Sequence, residues 1–339
     1  MRFMRGVTRS TIFYTDPLPA GPTFLNEFVR MKKAWNTICY GLLIGLCKAV
    51  GWLPYWFLYG CLVPVIYFLV YKVAGYRTKV VRENLRNAFP EKQDPELHEI
   101  ERKFYKHLSE LFVDTIDMTS IGSKQVAKRF RYRNAIEQDA RTAGQSWICA
   151  MAHYGSWEYT INYPLFTDHR VGAVYHHLHS PVFDRFYRHV RSRFGAIPLE
   201  RDDVAREMVN TRRENLPPIA LALIADQSPA VYAIHHWFDF LNQPTAFFMG
   251  MEKIARKYGM PVYFLHVDKV KKGYYTASFE EIYDGKEPLE ELEITRRYIR
   301  KLEEAIRQRP ELWLWSHRRW KHTPESVLRE KQERQEAGR

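Results

Sequence analysis

Between Ala34 and Ala74 the chain carries only two charged residues, Lys48 and Lys72. A run this apolar must be buried in protein or placed in lipid, which constrains the fold more than any other feature. Within it, residues 49–71 (AVGWLPYWFLYGCLVPVIYFLVY) are uncharged. As a helix they are long enough to cross a hydrocarbon core of about 30 Å. Pro54 and Pro64 predict an interruption or bend, and Trp52, Trp56 and neighbouring tyrosines are residue types that settle at a membrane interface. A single spanning helix over 49–71 is the first expectation. A re-entrant hairpin, 35–51 (WNTICYGLLIGLCKAVG) followed by 55–71 (YWFLYGCLVPVIYFLVY), is the second. Basic residues flank both ends, so charge does not set the orientation. Met31-Lys32-Lys33 before the apolar run also fits a signal peptide, but the second apolar run that follows at once argues against cleavage. Met31 equally fits a start codon, with residues 1–30 as a poorly ordered extension. The expected division is a polar extension over 1–33, a membrane anchor over 34–75, a main domain over 76–325 and a solvated tail over 326–339.

The 339 residues are enough for one large domain or two small ones. A formal net charge of +12 points to an anionic partner: nucleic acid, an acidic protein, a phosphorylated substrate or an anionic membrane. The 15% aromatic share suits a lipid interface or apolar pocket better than a nucleic-acid groove, and no nucleic-acid reading motif is present. Cys39, Cys47, Cys61 and Cys149 form no C-x-x-C spacing, and three of them lie in the apolar run. That pattern is neither a disulfide framework nor a zinc site, and it predicts a reduced, cytoplasm-facing domain.

Beyond the anchor, Leu97, Ile100, Phe104, Leu108, Leu111, Phe112 and Ile116 recur at helical spacing between charges, predicting an amphipathic helix over 96–118 that packs on the domain. Asp94-Pro95 supplies its start signal. Short apolar runs then alternate with helical patterns. SWICAMA (146–152), RVGAVYHHL (170–178), IALALIA (219–225) and MPVYFLHVDKV (260–270) read as strands, and YYTASFEEIY (274–283) as an edge strand. Helices are expected from near Gly155, over 180–195, over 245–259 and over 292–310. This alternation predicts an α/β fold with a mostly parallel central sheet flanked by helices. Ligands of such sheets bind beyond the carboxyl ends of the strands, and His153 and Asp226 stand at two such ends.

A His-x4-acid spacing occurs twice, at His153/Glu158 and His179/Asp184; chance alone gives about one or two in a chain of this composition. Both fall at a strand-to-helix junction. The first has a small-residue turn, HYGS, whose backbone N–H groups at Gly155 and Ser156 can point toward a reacting oxygen. The second has Pro181, which removes a donor. Spacing therefore favours His153 only modestly. An imidazole there can take a proton from an attacking hydroxyl, and a carboxylate on its far nitrogen fixes the tautomer. Glycine-rich phosphate loops and G-x-S-x-G are absent, which argues against a serine hydrolase. In HHLH (176–179), His177 and His179 share one strand face, but no Cys or carboxylate cluster completes a metal site. His235-His236 is a weaker signal still. RFYRHVRSRFGAIPLER (185–201) is a basic patch, read either as a solvated face or as an arginine surface for phosphate or acidic protein.

Several blocks in order resemble the lipid A biosynthesis late acyltransferases of the lauroyl/myristoyl type, within the wider His-x4-Asp/Glu acyltransferases. They are ENLRNAFPE (83–91), HYGSWE (153–158), the arginine block from Ser180 to Arg201, ADQSP (225–229), TAFFMGMEKIARKYGMPV (245–262) and ELWLWSHRRWKHTPE (311–325). Together they cover roughly residues 50 to 325. The resemblance assigns catalysis to His153 as general base with Glu158 as its partner, and so separates the two spacings. It places Arg191, Arg193 and Arg201 at positions that grip phosphate or shape the site, and Asp226 and Gln227 at a DQ pair near the pocket. His317, Arg318 and Arg319 match the terminal block. ADQSP continues with Ser228-Pro229 where many relatives have a glycine-containing turn, which leaves the acceptor open.

The resemblance implies transfer of a fatty acyl chain from an acyl-carrier-protein thioester to a hydroxyl of a membrane glycolipid. It implies no metal or other cofactor, and a catalytic domain on the cytoplasmic side of a bacterial inner membrane. Acyl transfer onto a lysophospholipid or amino-acid lipid would use the same motif. A non-catalytic protein binding anionic lipid through the anchor and basic patch is the contrasting alternative.

Overall fold

The computed structural model describes residues 22–337; residues 1–21, most of the expected 1–33 extension, and residues 338–339 of the expected tail lie outside the described residues. The expected single helix over 49–71 is two helices, Pro22–Gly51 and Tyr55–Val73. The first starts within the stretch expected to be a polar extension. The break has two local causes. Gly51 packs so closely on the segment after the Asp94–Asp117 helix that an added Cβ would lie 2.2 Å from Ser120 Oγ, and Pro54 is extended at φ −64°, ψ 151°. Pro64 does not break the second helix, because a wider π turn over Leu58–Leu62 precedes it and relieves the clash of its ring with the preceding turn.

Both apolar helices are two-faced. In the first, Trp35, Ile38, Leu42 and Leu46 are exposed at helical spacing, while the helix lies against the Asp94–Asp117 and Pro181–Ser192 helices. In the second, Leu58, Tyr59 and Val63 pack on Val113, and Trp56, Val65, Phe68, Leu69 and Val73 are exposed. The packed face is keyed to the domain by polar contacts. Tyr59 donates to Asp114 Oδ1 (2.6 Å) and Tyr55 to Lys272 O (2.7 Å). The Tyr59 ring lies against Gly273, where a Cβ would come within 2.4 Å of it.

The domain is α/β, around a seven-stranded sheet in the order β1-β9-β8-β2-β5-β3-β4. The strands are β1 Phe130–Tyr132, β2 Trp147–Met151, β3 Arg170–Tyr175, β4 Ile197–Glu200, β5 Ile219–Ile224, β8 Val262–Lys271 and β9 Tyr274–Tyr283. A separate hairpin pairs β6 Phe238–Phe240 with β7 Gln243–Thr245. Strands β8, β2, β5, β3 and β4 run parallel, while β9 is antiparallel to β8 and carries β1 parallel to itself. Every residue of β2 is buried, as expected of a central parallel strand whose neighbours cover both faces. Trp147 anchors this core edge-on to Tyr163, Tyr263 and Phe279.

Four local expectations change. Strand β9 is internal, because β1 takes the edge beyond it. The opposite edge is β4, cut from the stretch read as a basic patch. The helix expected near Gly155 is a 3-10 helix, Trp157–Leu165, and the helix expected over 245–259 starts at Gly250 and stops at Gly259, which turns left-handed at φ 61°. The amphipathic helix forms over Asp94–Asp117, and its start is capped by Glu96 accepting the Gln93 N–H (3.2 Å).

Candidate active site

Strands β2 and β5 pair with Met151 opposite Ile224. Two residues further on, the two chains deliver His153 and Asp226 side by side at the carboxyl edge of the sheet. The Asp226 carboxylate faces His153 Nδ1 across 2.7 Å and accepts the His153 backbone N–H at 3.0 Å and the Trp313 indole N–H at 2.8 Å. An ionised carboxylate only accepts, so Nδ1 carries a proton toward it, and in the neutral form of the ring Nε2 keeps its lone pair. Gln227 Nε2 lies 3.2 Å from that Nε2. Burial pushes the Asp226 carboxyl up, but the His153 charge and the hydrogen bonds from His153 and Trp313 outweigh it, leaving the carboxyl below its ordinary value.

Gln227 opens into a cavity of about 290 Å³. It is lined by Trp157, Glu158, Leu314 and His317 and by Leu108, Leu111, Phe112 and Thr115 of the Asp94–Asp117 helix. The His153 ring stands edge-on to Trp157 at 5.1 Å and its side chain is 18% exposed.

The C-terminal block builds the other side of the site. Leu314 N–H donates to His153 O (3.1 Å), Gly155 N–H donates to Leu312 O (3.0 Å), and Tyr154 bridges Trp313. Asn84 donates to Trp315 O (2.8 Å) and His317 O (2.9 Å), which ties ENLRNAFPE to the same segment. His317 Nε2 accepts the Ser228 N–H (3.2 Å). Burial, with Arg319 nearby, pulls the His317 imidazole down to about 4, so this ring is a neutral acceptor. Arg319 is fully buried over the Phe247 ring (4.5 Å), while Arg318 is exposed.

The expected partner of His153 is corrected. No hydrogen bond joins Glu158 to His153; Glu158 Oε1 accepts from Arg191 (2.9 Å) instead. The chain leaves His153 through Gly155 at φ 62°, and the 3-10 helix beginning at Trp157 carries Glu158 toward the Pro181–Ser192 helix. The carboxylate on the ring is Asp226, which the sequence places beside the pocket but not on the imidazole. The arginines separate as well. Arg191 is spent on Glu158. Arg193 donates to the carbonyls of Met118 and Ile121 at the end of the Asp94–Asp117 helix. Arg201 is exposed and paired with Asp202 (3.1 Å). Neither Arg193 nor Arg201 lines the cavity.

Of the two expected backbone oxyanion donors, Gly155 is corrected and Ser156 lies in the interior. The Gly155 N–H is committed to Leu312 O, and Ser156 is fully buried with its hydroxyl on Asp114 Oδ2 (2.8 Å). The rival spacing comes apart: His179 is exposed, and Asp184 accepts the Leu178 N–H (3.0 Å) and faces His177 at 3.3 Å. Tyr76, Arg77 and Tyr187 also line the cavity and were missed in the sequence, where nothing marks them as residues of one pocket.

The family model described as bacterial lipid A biosynthesis acyltransferase matches residues 26–322. No curated protein matches the chain.

Proposed function

The chain belongs to the bacterial lipid A biosynthesis acyltransferase family, and from that premise we propose that it moves a fatty acyl chain from an acyl-carrier-protein thioester to a hydroxyl of a lipid A precursor, with His153 as general base. The observation that carries this is the His153–Asp226 pair. With Nδ1–H held on a buried carboxylate, Nε2 is the basic atom, and Gln227 beside it opens into the cavity.

The acceptor hydroxyl gives its proton to Nε2 as its oxygen attacks the thioester carbonyl. The new C–O bond forms, the tetrahedral intermediate collapses with loss of the C–S bond, and the imidazolium returns the proton to the leaving thiolate. The products are an ester and a free thiol. Asp226 orients the ring and steadies its charged form, the division of labour that a base with an orienting acid requires. The Gln227 amide lies beside Nε2 and lines the cavity, and we assign it the oxyanion role that the committed Gly155 N–H does not fill. One such donor is worth ~3 kcal/mol in other acyl-transfer sites. Glu158 and Arg191 act as a neutralised wall of the cavity rather than as part of the proton path.

The apolar hairpin supplies the setting. Its helices, Val29–Gly51 and Tyr55–Val73, meet the length and composition needed to enter a bilayer, and their outward faces carry Trp35, Trp56 and Phe68 exposed. We take them as the anchor to the bacterial inner membrane, with the domain in the cytoplasm, where a lipid acceptor reaches the cavity laterally. The net charge of +12 favours both the anionic membrane and an acidic carrier protein, so activity should fall with ionic strength.

The test is acyl transfer by purified protein from an acyl-carrier thioester to a lipid A precursor, read by mass spectrometry of the acceptor. The proposal expects one added acyl mass in wild type and none with His153→Ala. Wild-type turnover in the His153→Ala variant would end it.

A further inference from the structure

A phosphorylated substrate needs a cation at the site, and the three arginines expected to supply one are withdrawn or distant. Two residues lining the cavity carry formal charge, Arg77 and Glu158. Glu158 is neutralised by Arg191 at 2.9 Å. Among the described residues no carboxylate lies within 4.0 Å of Arg77, so its charge is the uncompensated one.

Arg77 is also held in place. Its Nη1 donates to Ser316 O at 2.9 Å, and Ser316 lies on the cavity wall. The carbonyls on either side, of Trp315 and His317, are clasped by Asn84, so the arginine rests on a fixed segment. Its backbone is left-handed at φ 54°, a conformation that side chains other than glycine adopt only at a cost. The residue stands between the end of the apolar Tyr55–Val73 helix and the start of the Thr78–Ala88 helix, where the hairpin meets the cavity. One edge of the guanidinium is spent on a carbonyl, and its remaining N–H donors are available to phosphate oxygens.

We propose that Arg77 binds a phosphate group of a substrate at the mouth of this cavity. The inference rests on the reading that the cavity takes the acyl-transfer substrates. The same chemistry could come from a phosphate on the acceptor lipid or from the phosphodiester of the carrier's thioester arm. The place of Arg77, at the end of an apolar helix with Tyr76 exposed beside it, favours the lipid.

The test is equilibrium binding, in detergent micelles, of a phosphorylated lipid A precursor and of the same lipid dephosphorylated. Wild type is compared with Arg77→Asn, chosen because asparagine tolerates a left-handed backbone, and with Arg77→Lys, which keeps the charge. The expected result is about tenfold weaker binding of the phosphorylated lipid by Arg77→Asn, partial recovery with Arg77→Lys, and no difference for the dephosphorylated lipid. Binding of acyl-carrier thioester is measured in parallel. A loss confined to the thioester supports phosphate binding with the donor as its source. Equal binding of every ligand by wild type and Arg77→Asn, or an equal loss with and without phosphate, overturns the proposal. Because the readout is binding, a wild-type protein that transfers no acyl chain would refute the reaction and leave the Arg77 result standing.

Discussion

Replacing Asp226 by asparagine tests the orienting carboxylate with almost no change of shape. Asp226 accepts three hydrogen bonds, the imidazole on Oδ1 and the His153 N–H and Trp313 indole on Oδ2. Asparagine has one oxygen. If that oxygen takes the place of Oδ2, two donors are kept and the amide NH2 confronts Nδ1, which must then accept. The proton moves to Nε2 and the base is lost. If the amide is flipped, the active tautomer survives but two buried donors face an NH2 group. Each hydrogen bond to a charged group contributes ~1.5–3 kcal/mol, so the flipped, active arrangement is disfavoured by about 2–3 kcal/mol. The carboxylate's hold on the imidazolium, about the same again, is also lost. The sum of ~4–6 kcal/mol corresponds to ~10³–10⁴ in kcat, the range that loss of the orienting acid produces in a serine-protease triad. The assay is steady-state acyl transfer in detergent, with kcat and KM separated. The loss should sit in kcat, with KM near wild type and the folded state confirmed by near-ultraviolet circular dichroism. A folded Asp226→Asn protein within tenfold of wild-type kcat would refute the reasoning.

Two further outcomes follow from groups around the site. Glu158→Gln removes the counter-charge of a largely buried guanidinium and should cost ~3 kcal/mol of unfolding free energy, part of which a second change, Arg191→Met, restores; chemical denaturation of both single variants and the double one checks this, and additive losses would count against a coupled pair. Asp114 is raised to about 7, by burial against the donors Tyr59, Ser156 and Tyr275. Since the folded value lies above the ordinary one, its contribution is complete below the ordinary carboxylate range and is lost as pH rises through about 7. Asp114→Asn cannot ionise and should flatten the fall of Tm between about pH 4 and 7, and an unchanged slope would place that fall elsewhere.

The parts of this molecule legible in its sequence are those with local causes. β2 and β5 announce themselves because a central strand flanked on both sides is apolar throughout, and the Asp94–Asp117 helix because one face is wet. His153 was recognisable as the residue at which such a run stops. Its carboxylate was not. Glu158 is the near acid in the chain, yet the ring is held by an acid 73 residues away, delivered by the lateral pairing of β2 with β5. Strand order is a tertiary choice that no local pattern carries. The same holds for Gly155, whose lack of a side chain suited an oxyanion turn but whose N–H is taken by Leu312 from the far end of the chain. The break between the apolar helices was half visible, since Pro54 marked it and the close contact of Gly51 with Ser120 did not. Arg77 looked like any surface arginine until its neighbours across the cavity were in place.

The central claim is that His153 carries its proton on Nδ1, toward Asp226, and leaves a basic Nε2 beside Gln227, which lines the cavity. The most direct measurement is two-bond ¹H–¹⁵N correlation NMR of protein with ¹⁵N-labelled histidine rings in detergent micelles, the His153 signal identified by its loss in His153→Gln. The account predicts the Nδ1–H tautomer at neutral pH in wild type and the Nε2–H tautomer in Asp226→Asn. An Nε2–H ring in the wild-type protein would contradict it.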